Sequence, residues 1–176
     1  MKITALMAKP QLKNFLFIKS LVLVIDGIKN KKIGLILNKK IEEKASDIWQ
    51  SINPNLVLKY NKNIRHGGPV YGSIILIHKI KDFADKKILE NTYLTINTKN
   101  IENIIKKTNE YEMYVGYCTW ASNQLELEIK NGFWWEIKVD EHMIFNNEGY
   151  WDLKKEEKNK EYLDSLGLKI QNHMLN

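Results

Sequence analysis

One cysteine, four histidines and a glutamine–glutamate pair are the residues of this 176-residue chain whose types and spacing invite a chemical reading. Cys118 lies in Gly116-Tyr117-Cys118-Thr119-Trp120, an order close to the strand-to-helix elbow that exposes a nucleophile, while His66-Gly67-Gly68 has the composition of an oxyanion-hole turn. The elbow fails at its second glycine, where Trp120 stands. A thiol nucleophile also needs a histidine within hydrogen-bond reach of sulfur, and spacing alone brings neither His66 nor His78 there. Cys118 therefore reads as a small, buried, inert residue.

Gln124 and Glu128 are the second candidate. With Gln124 at zero on a helical wheel, Glu128 falls at about 40°, Leu125 and Ile129 at about 100° to 140°, and Leu127 at about 300°. Both polar residues then sit within the apolar arc, with Glu126 and Lys130 on the solvent side. The wheel thus predicts an inward Gln–Glu pair that needs partners, since an unsatisfied buried polar group costs about 1 to 3 kcal/mol. The candidate partners are the Gly67-Gly68 amides, Arg65, the Trp120 indole and Asn38. A structural network is the favoured role, with a ligand or catalytic site as the alternative.

His66, His78, His142 and His173 show no paired ligand spacing, and a single cysteine excludes both an intrachain disulfide and a cysteine-based zinc site. No metal is proposed. Neither a Walker motif nor a dinucleotide fingerprint occurs, so no cofactor is expected either. Phe133 and Trp135 alternate with Trp134. That pattern puts one strand face in the core and leaves the other, Trp134 or its neighbours, as a partner-binding patch.

The net charge of +6 comes from 27 Lys+Arg against 21 Asp+Glu, spread among many Asn and Ile as a composition-wide bias. With 44% hydrophobic residues and 3 Pro the chain reads as an ordinary globular protein of one domain over 1–176, with 168–176 as a loose tail. The apolar segment 15–25 is interrupted by Lys19 and is too short for a membrane helix, and the N-terminus lacks a secretory pattern. A cytoplasmic protein without membrane association is expected.

Segments 15–25 and 33–37 read as a hairpin joined by Asp26, Gly27 and a lysine-rich turn. A helix opens at Ser46 as N-cap and stops at Pro54, and 56–58 is a short strand. The His66-Gly67-Gly68-Pro69-Val70 turn leads into a strand at 74–77 that ends in His78. A strand at 92–96 precedes a helix at 99–107 capped by Thr98, with Ile101, Ile104 and Ile105 on one face. Segment 111–117 has a β period, Ala121 or Ser122 opens a helix over 124–130, and Asn131-Gly132 caps it. Segments 133–139 and 142–145 read as paired strands, and 150–166 as a charged helix.

Set side by side, these features resemble the AlgH/YqgE family of small bacterial proteins. Those that carry the resemblance are Phe15 and Ser20, Gly34 and Asn38 in GLILN, the Gly67-Gly68-Pro69-Val70 turn, Leu76 to His78, and Gly116, Tyr117, Trp120, Gln124, Leu125, Glu126 and Glu128, with Trp135 and Phe145 further on. The resemblance implies an α+β fold with a small closed, partly bifurcated β-barrel or sheet surrounded by helices. It implies little about activity; one branch is linked to transcriptional control. This chain departs from the pattern at Thr119 in place of a glycine, at Ala121-Ser122-Asn123 in place of a Gly/Pro-rich turn, and at Asp26-Gly27, where an acidic–histidine pair is usual. Cys118 occupies a position that the resemblance assigns to a small residue, in keeping with its inert reading. The family-signature cluster to be placed by structure is therefore Asn38, Gly67, Gly68, Pro69, Gly116, Tyr117, Trp120, Gln124 and Glu128, as structural or binding residues with no catalytic assignment. The functional expectation is a non-enzymatic binding or regulatory domain with a protein partner. Direct nucleic-acid binding through lysine-rich turns is the alternative, and a hydrolase or transferase using Cys118 or Glu128 comes third.

Overall fold

Leu21, Leu23 and Ile25 pack into one core while Val22 and Val24 pack into another, because successive side chains of a strand point to opposite faces and both faces of this sheet are covered. The computed structural model describes residues 3–26, 31–55, 58 and 61–166. Its strands are β1 (Ile3–Ala8), β2 (Leu21–Asp26), β3 (Lys32–Ile36), β4 (Lys40–Lys44), β5 (Asn63–His66), β6 (Val70–His78), β7 (Lys86–Leu89), β8 (Thr92–Thr95), β9 (Tyr111–Trp120) and β10 (Trp134–Ile137). The helices are α1 (Ala45–Ile52), α2 (Thr98–Lys107), α3 (Gln124–Lys130), α4 (Glu141–Phe145) and α5 (Tyr150–Ser165).

The strands form one curled sheet in the order β10-β1-β2-β3-β9-β6-β8-β7. It is an α+β fold whose sheet curls into a half-barrel, and among the described residues no ladder joins the end strands β10 and β7. The bifurcation lies at β9. Its C-terminal part pairs with β3 through Cys118, Thr119 and Trp120, while Tyr114 and Val115 pair in parallel with β5. β6 runs antiparallel along its other edge.

Three cores follow. The concave face gathers Met7, Leu23, Leu35, Ile77 and Tyr114 with Met143, Ile144, Tyr150 and Trp151 from α4 and α5. Behind β5, β6 and β9, α1 and α2 supply Trp49, Ile101, Ile104 and Ile105. Behind β1, β2 and β3, α3 adds Leu125 beside Trp120 and Trp134.

Several local expectations are corrected. β1 was not anticipated, and the segment before β2 is a turn, closed by Leu16 N–H donating to Asn14 Oδ1, that leaves Phe15 85% exposed. Residues 142–145 are the helix α4, because the Asp140 carboxylate accepts the Met143 amide as a cap at 2.7 Å. Asn97, not Thr98, caps α2, and α1 begins at Ala45, with the Lys44 amide donating to Asp47. The Gly27 turn, the strand expectation at Leu56 and Val57, and the tail from Gly167 onward lie outside the described residues.

His78, at the end of β6, is fully buried, and its Nδ1 accepts the Ile80 amide at 3.2 Å. The proton of the neutral ring therefore sits on Nε2, which meets no partner among the described residues. Burial lowers its pKa below 6.5, against an opposing pull from Asp85. The unfolded chain thus takes up this proton at a higher pH than the folded one, so the contribution to stability is full above 6.5 and is lost as pH falls toward the folded value. Urea midpoints measured from pH 7.5 to 5 should fall with a shallower slope in His78→Gln than in the parent, and equal slopes would remove His78 from the account.

Candidate functional site

Strand β9 carries its alternation through to Trp120, so Cys118 sits inside a strand rather than on an exposed turn. It is 2% exposed, its thiol lies 3.7 Å from the Gly67 carbonyl, and burial pushes its pKa up to about 12. A thiol held protonated in this way is no nucleophile at neutral pH.

Trp120 ends β9, an exposed turn over 121–123 follows, and α3 starts after Asn123, whose φ of 66° is left-handed. Neither Ala121 nor Ser122 is the cap. Gln124 does part of that work from the first turn, its Oε1 accepting the Ala121 amide at 3.1 Å and its Nε2 donating to Glu128 Oε1 at 3.0 Å. Gln124 is exposed, contrary to the wheel, because α3 has only two turns and its apolar contact with the sheet centres on Leu125.

Glu128 is half-buried, and its Oε2 accepts both Trp120 Nε1 at 3.0 Å and Trp134 Nε1 at 2.9 Å. One carboxylate therefore pins the end of β9 and the start of β10 to the same helix. The two indoles meet edge to face, with centroids 6.4 Å apart, and Phe17 closes the group at 5.5 Å from Trp134. Trp134 is thus core, 2% exposed, and not a partner-binding surface. Of the partners anticipated for the Gln–Glu pair, only the Trp120 indole is used.

The others serve elsewhere. Asn38 accepts the Leu21 amide at 2.9 Å and donates to the Lys19 carbonyl at 2.7 Å, fixing the start of β2 against the end of β3. Gly67, Gly68 and Pro69 form the turn between β5 and β6, where Ile36 N–H donates to Gly67 O and Gly67 N–H to Val115 O, both at 2.8 Å. Gly116, with φ of 78°, lies against that turn. Val70 pairs with Tyr117, which packs at the edge of the concave core.

Arg65 donates from Nε to Glu112 Oε2 at 2.7 Å and from Nη1 to Asn147 Oδ1 at 3.2 Å, and Asn147 donates to the Leu37 carbonyl at 3.0 Å. All three residues are buried. Losing one partner of such a pair costs about 3 to 5 kcal/mol. Glu112 and Asn147 were not anticipated. Their signal was one arginine in a lysine-rich chain and one glutamate in the apolar run of β9.

Beside α3, next to these occupied residues, lies an open groove, a cleft of about 310 Å³. Its floor is apolar, with Leu6, Val24, Leu125 and Ile129, and its rim carries Asp26, Glu126 and Glu136 against Lys32. Lys32 donates to Asp26 at 2.7 Å, and that bond is the main cause raising its pKa. The cleft offers apolar contact and negative charge without an activated nucleophile. Among the described residues no group of three or more metal-ligating side chains occurs.

A family model described as AlgH-like (DUF179) matches residues 5–171. A UPF0301 protein of Bacteroides thetaiotaomicron is 28% identical over 176 aligned residues, 94% of this chain and 83% of its own length. Another UPF0301 protein, from Photorhabdus laumondii, is 29% identical over 81% of this chain and 82% of its own. The solution structure of the AlgH protein from Pseudomonas aeruginosa superposes with a TM-score of 0.66 at 17% identity, over 81% of this chain and 79% of that one. A crystal structure from Corynebacterium diphtheriae gives 0.65 at 19% identity, over 81% and 78%. At these identities the two structures establish the fold.

Glu128→Ala strips the acceptor from two indole N–H groups at once, so it should destabilise by about 1 to 3 kcal/mol in urea unfolding. It should also weaken the near-ultraviolet circular dichroism of the tryptophans. Glu128→Gln, which keeps one acceptor in place, should lose less, and an unchanged midpoint in both variants would dissolve the clamp.

Proposed function

This chain belongs to the AlgH-like family, and we propose that it acts as a non-enzymatic binding domain that takes a protein partner at the cleft beside α3. The observation that carries the reading is the division of labour around that helix. Gln124, Glu128 and Trp120 are committed to one another, while the adjoining cleft keeps an apolar floor and carboxylates on its rim. A regulatory role inside the cytoplasm, of the kind linked to transcription in the AlgH branch, accords with binding without turnover. No described helix is long and apolar enough to cross a membrane.

Catalysis through Cys118 or Glu128 is disfavoured by geometry. The thiol is buried and held protonated, and both carboxylate oxygens of Glu128 are occupied by donors. Nucleic-acid binding through the lysines ranks below protein binding because the sequence carries no recognition-helix motif. Among the described residues Lys19, Lys40, Lys62 and Lys79 pair with Asp152, Glu148, Glu112 and Glu141.

Iodoacetamide should leave Cys118 unmodified until denaturant is added, and p-nitrophenyl acetate and phosphate should show no turnover that depends on Cys118 or Glu128. A photo-crosslinker placed at Glu126 should capture a protein partner in cells, with capture lost in Ile129→Lys. Turnover abolished by Cys118→Ala with the fold intact would overturn the reading. So would a gel shift with duplex DNA at about 50 mM salt that weakens linearly with log[salt].

A further inference from the structure

The half-barrel has two ends, and they bound a common space. Among the described residues β10 is ladder-paired only to β1, and β7 only to β8. Among the described residues no backbone hydrogen bond is made along the outer edge of β10. A cleft of about 430 Å³ separates the two strands, lined by Ile3, Ile88, Leu89, Ile137 and Val139. An unpaired edge of this kind is a template for another strand.

The edge also has a charge pattern. Along β10, Trp135 and Ile137 pack toward the concave core, whereas Trp134 packs behind the sheet with α3. Period-two alternation places Glu136 on that rear face. It is exposed and belongs to both clefts, the one beside α3 and the one between β10 and β7. Glu126 stands on the rim beside α3, where Lys32 is bonded to Asp26, while Lys138 lines the cleft between β10 and β7 next to Glu136. In a chain of net charge +6, the lining of the cleft beside α3 carries three carboxylates, Asp26, Glu126 and Glu136, against the one ammonium of Lys32.

We propose that the outer edge of β10 accepts an extended segment of a partner protein in which one basic residue is flanked by apolar residues. The segment adds as a strand, main chain to main chain. Residues directly opposite across a ladder point to the same face, so the basic side chain lies beside Glu136 and Glu126, and its apolar neighbours turn inward to Ile137, Ile88 and Leu89. The inference rests on the binding reading above and gives it a partner chemistry and a mode of attachment.

The probe is a blocked, fluorescein-labelled nine-residue peptide centred on Val-Lys-Val, titrated into the whole chain by anisotropy, with amide hydrogen exchange followed over Trp134, Trp135, Glu136 and Ile137. Saturable binding is expected, with slowed exchange at those amides. Glu136→Lys should weaken the affinity by about tenfold or more. A Val-Glu-Val peptide should recover binding on that variant, and backbone N-methylation at the central residue should abolish it on both. No saturation up to about 1 mM peptide, or affinity indifferent to Glu136→Lys and to N-methylation, overturns the proposal. Shifts confined to Glu126 and Ile129 with the β10 amides unprotected overturn strand addition while leaving the α3 cleft as a binding site. Protection of the same amides by self-association without peptide assigns the edge to a second copy, and likewise overturns it.

Discussion

Strand β9 passes the turn between β5 and β6 at a separation that only glycine permits. A Cβ on Gly67 would run into the Gly116 carbonyl oxygen, and one on Gly116 would lie 2.5 Å from the Gly68 carbonyl oxygen and 3.0 Å from that of Val70. Gly116 also holds a φ of 78°, a region that costs other residues about 1 to 2 kcal/mol. This crossing is what lets one strand serve two neighbours on the same edge, β5 before Gly116 and β3 after it. Everything placed by the C-terminal part of β9, Cys118 and Trp120 included, inherits its position from there.

Downstream of the crossing, Trp120 needs room and a partner. Gly34 on β3 supplies the room, because any side chain there would overlap the indole. Glu128 supplies the partner and shares it with Trp134, so a helix of seven residues is anchored at both adjoining strands. A helix this short has little stability of its own. The tryptophan–glutamate clamp and the contact of Leu125 with the sheet hold it, and Leu125 also lines the cleft beside it. Residues that read as chemistry in one dimension are thus a mechanical frame that ties α3 to the sheet.

Much of this was legible in the sequence, for reasons that can be named. The double glycine before proline announced a turn, the inert reading of Cys118 followed from an elbow motif broken at Trp120 with no histidine placed at its sulfur, and Trp120 was among the partners expected for Glu128. Other features were hidden because they depend on distant parts of the chain. The inward placement of Gln124 assumed a helix long enough to bury a full arc, but α3 has only seven residues. Residues 142–145 have a strand-like composition, and the capping carboxylate of Asp140 decides for helix. The Arg65–Glu112–Asn147 network joins positions 82 residues apart at its widest single contact, a separation no local period reports.

The Gly67–Gly116 crossing, rather than any reactive group, is the reason for the residue pattern around it. Equilibrium urea unfolding of Gly116→Ala tests it most directly. A loss of roughly 2 to 4 kcal/mol is expected, since strain at positive φ adds to a collision with backbone atoms that have nowhere to retreat. A stability within about 0.5 kcal/mol of the parent, the range of an ordinary surface substitution, would contradict it.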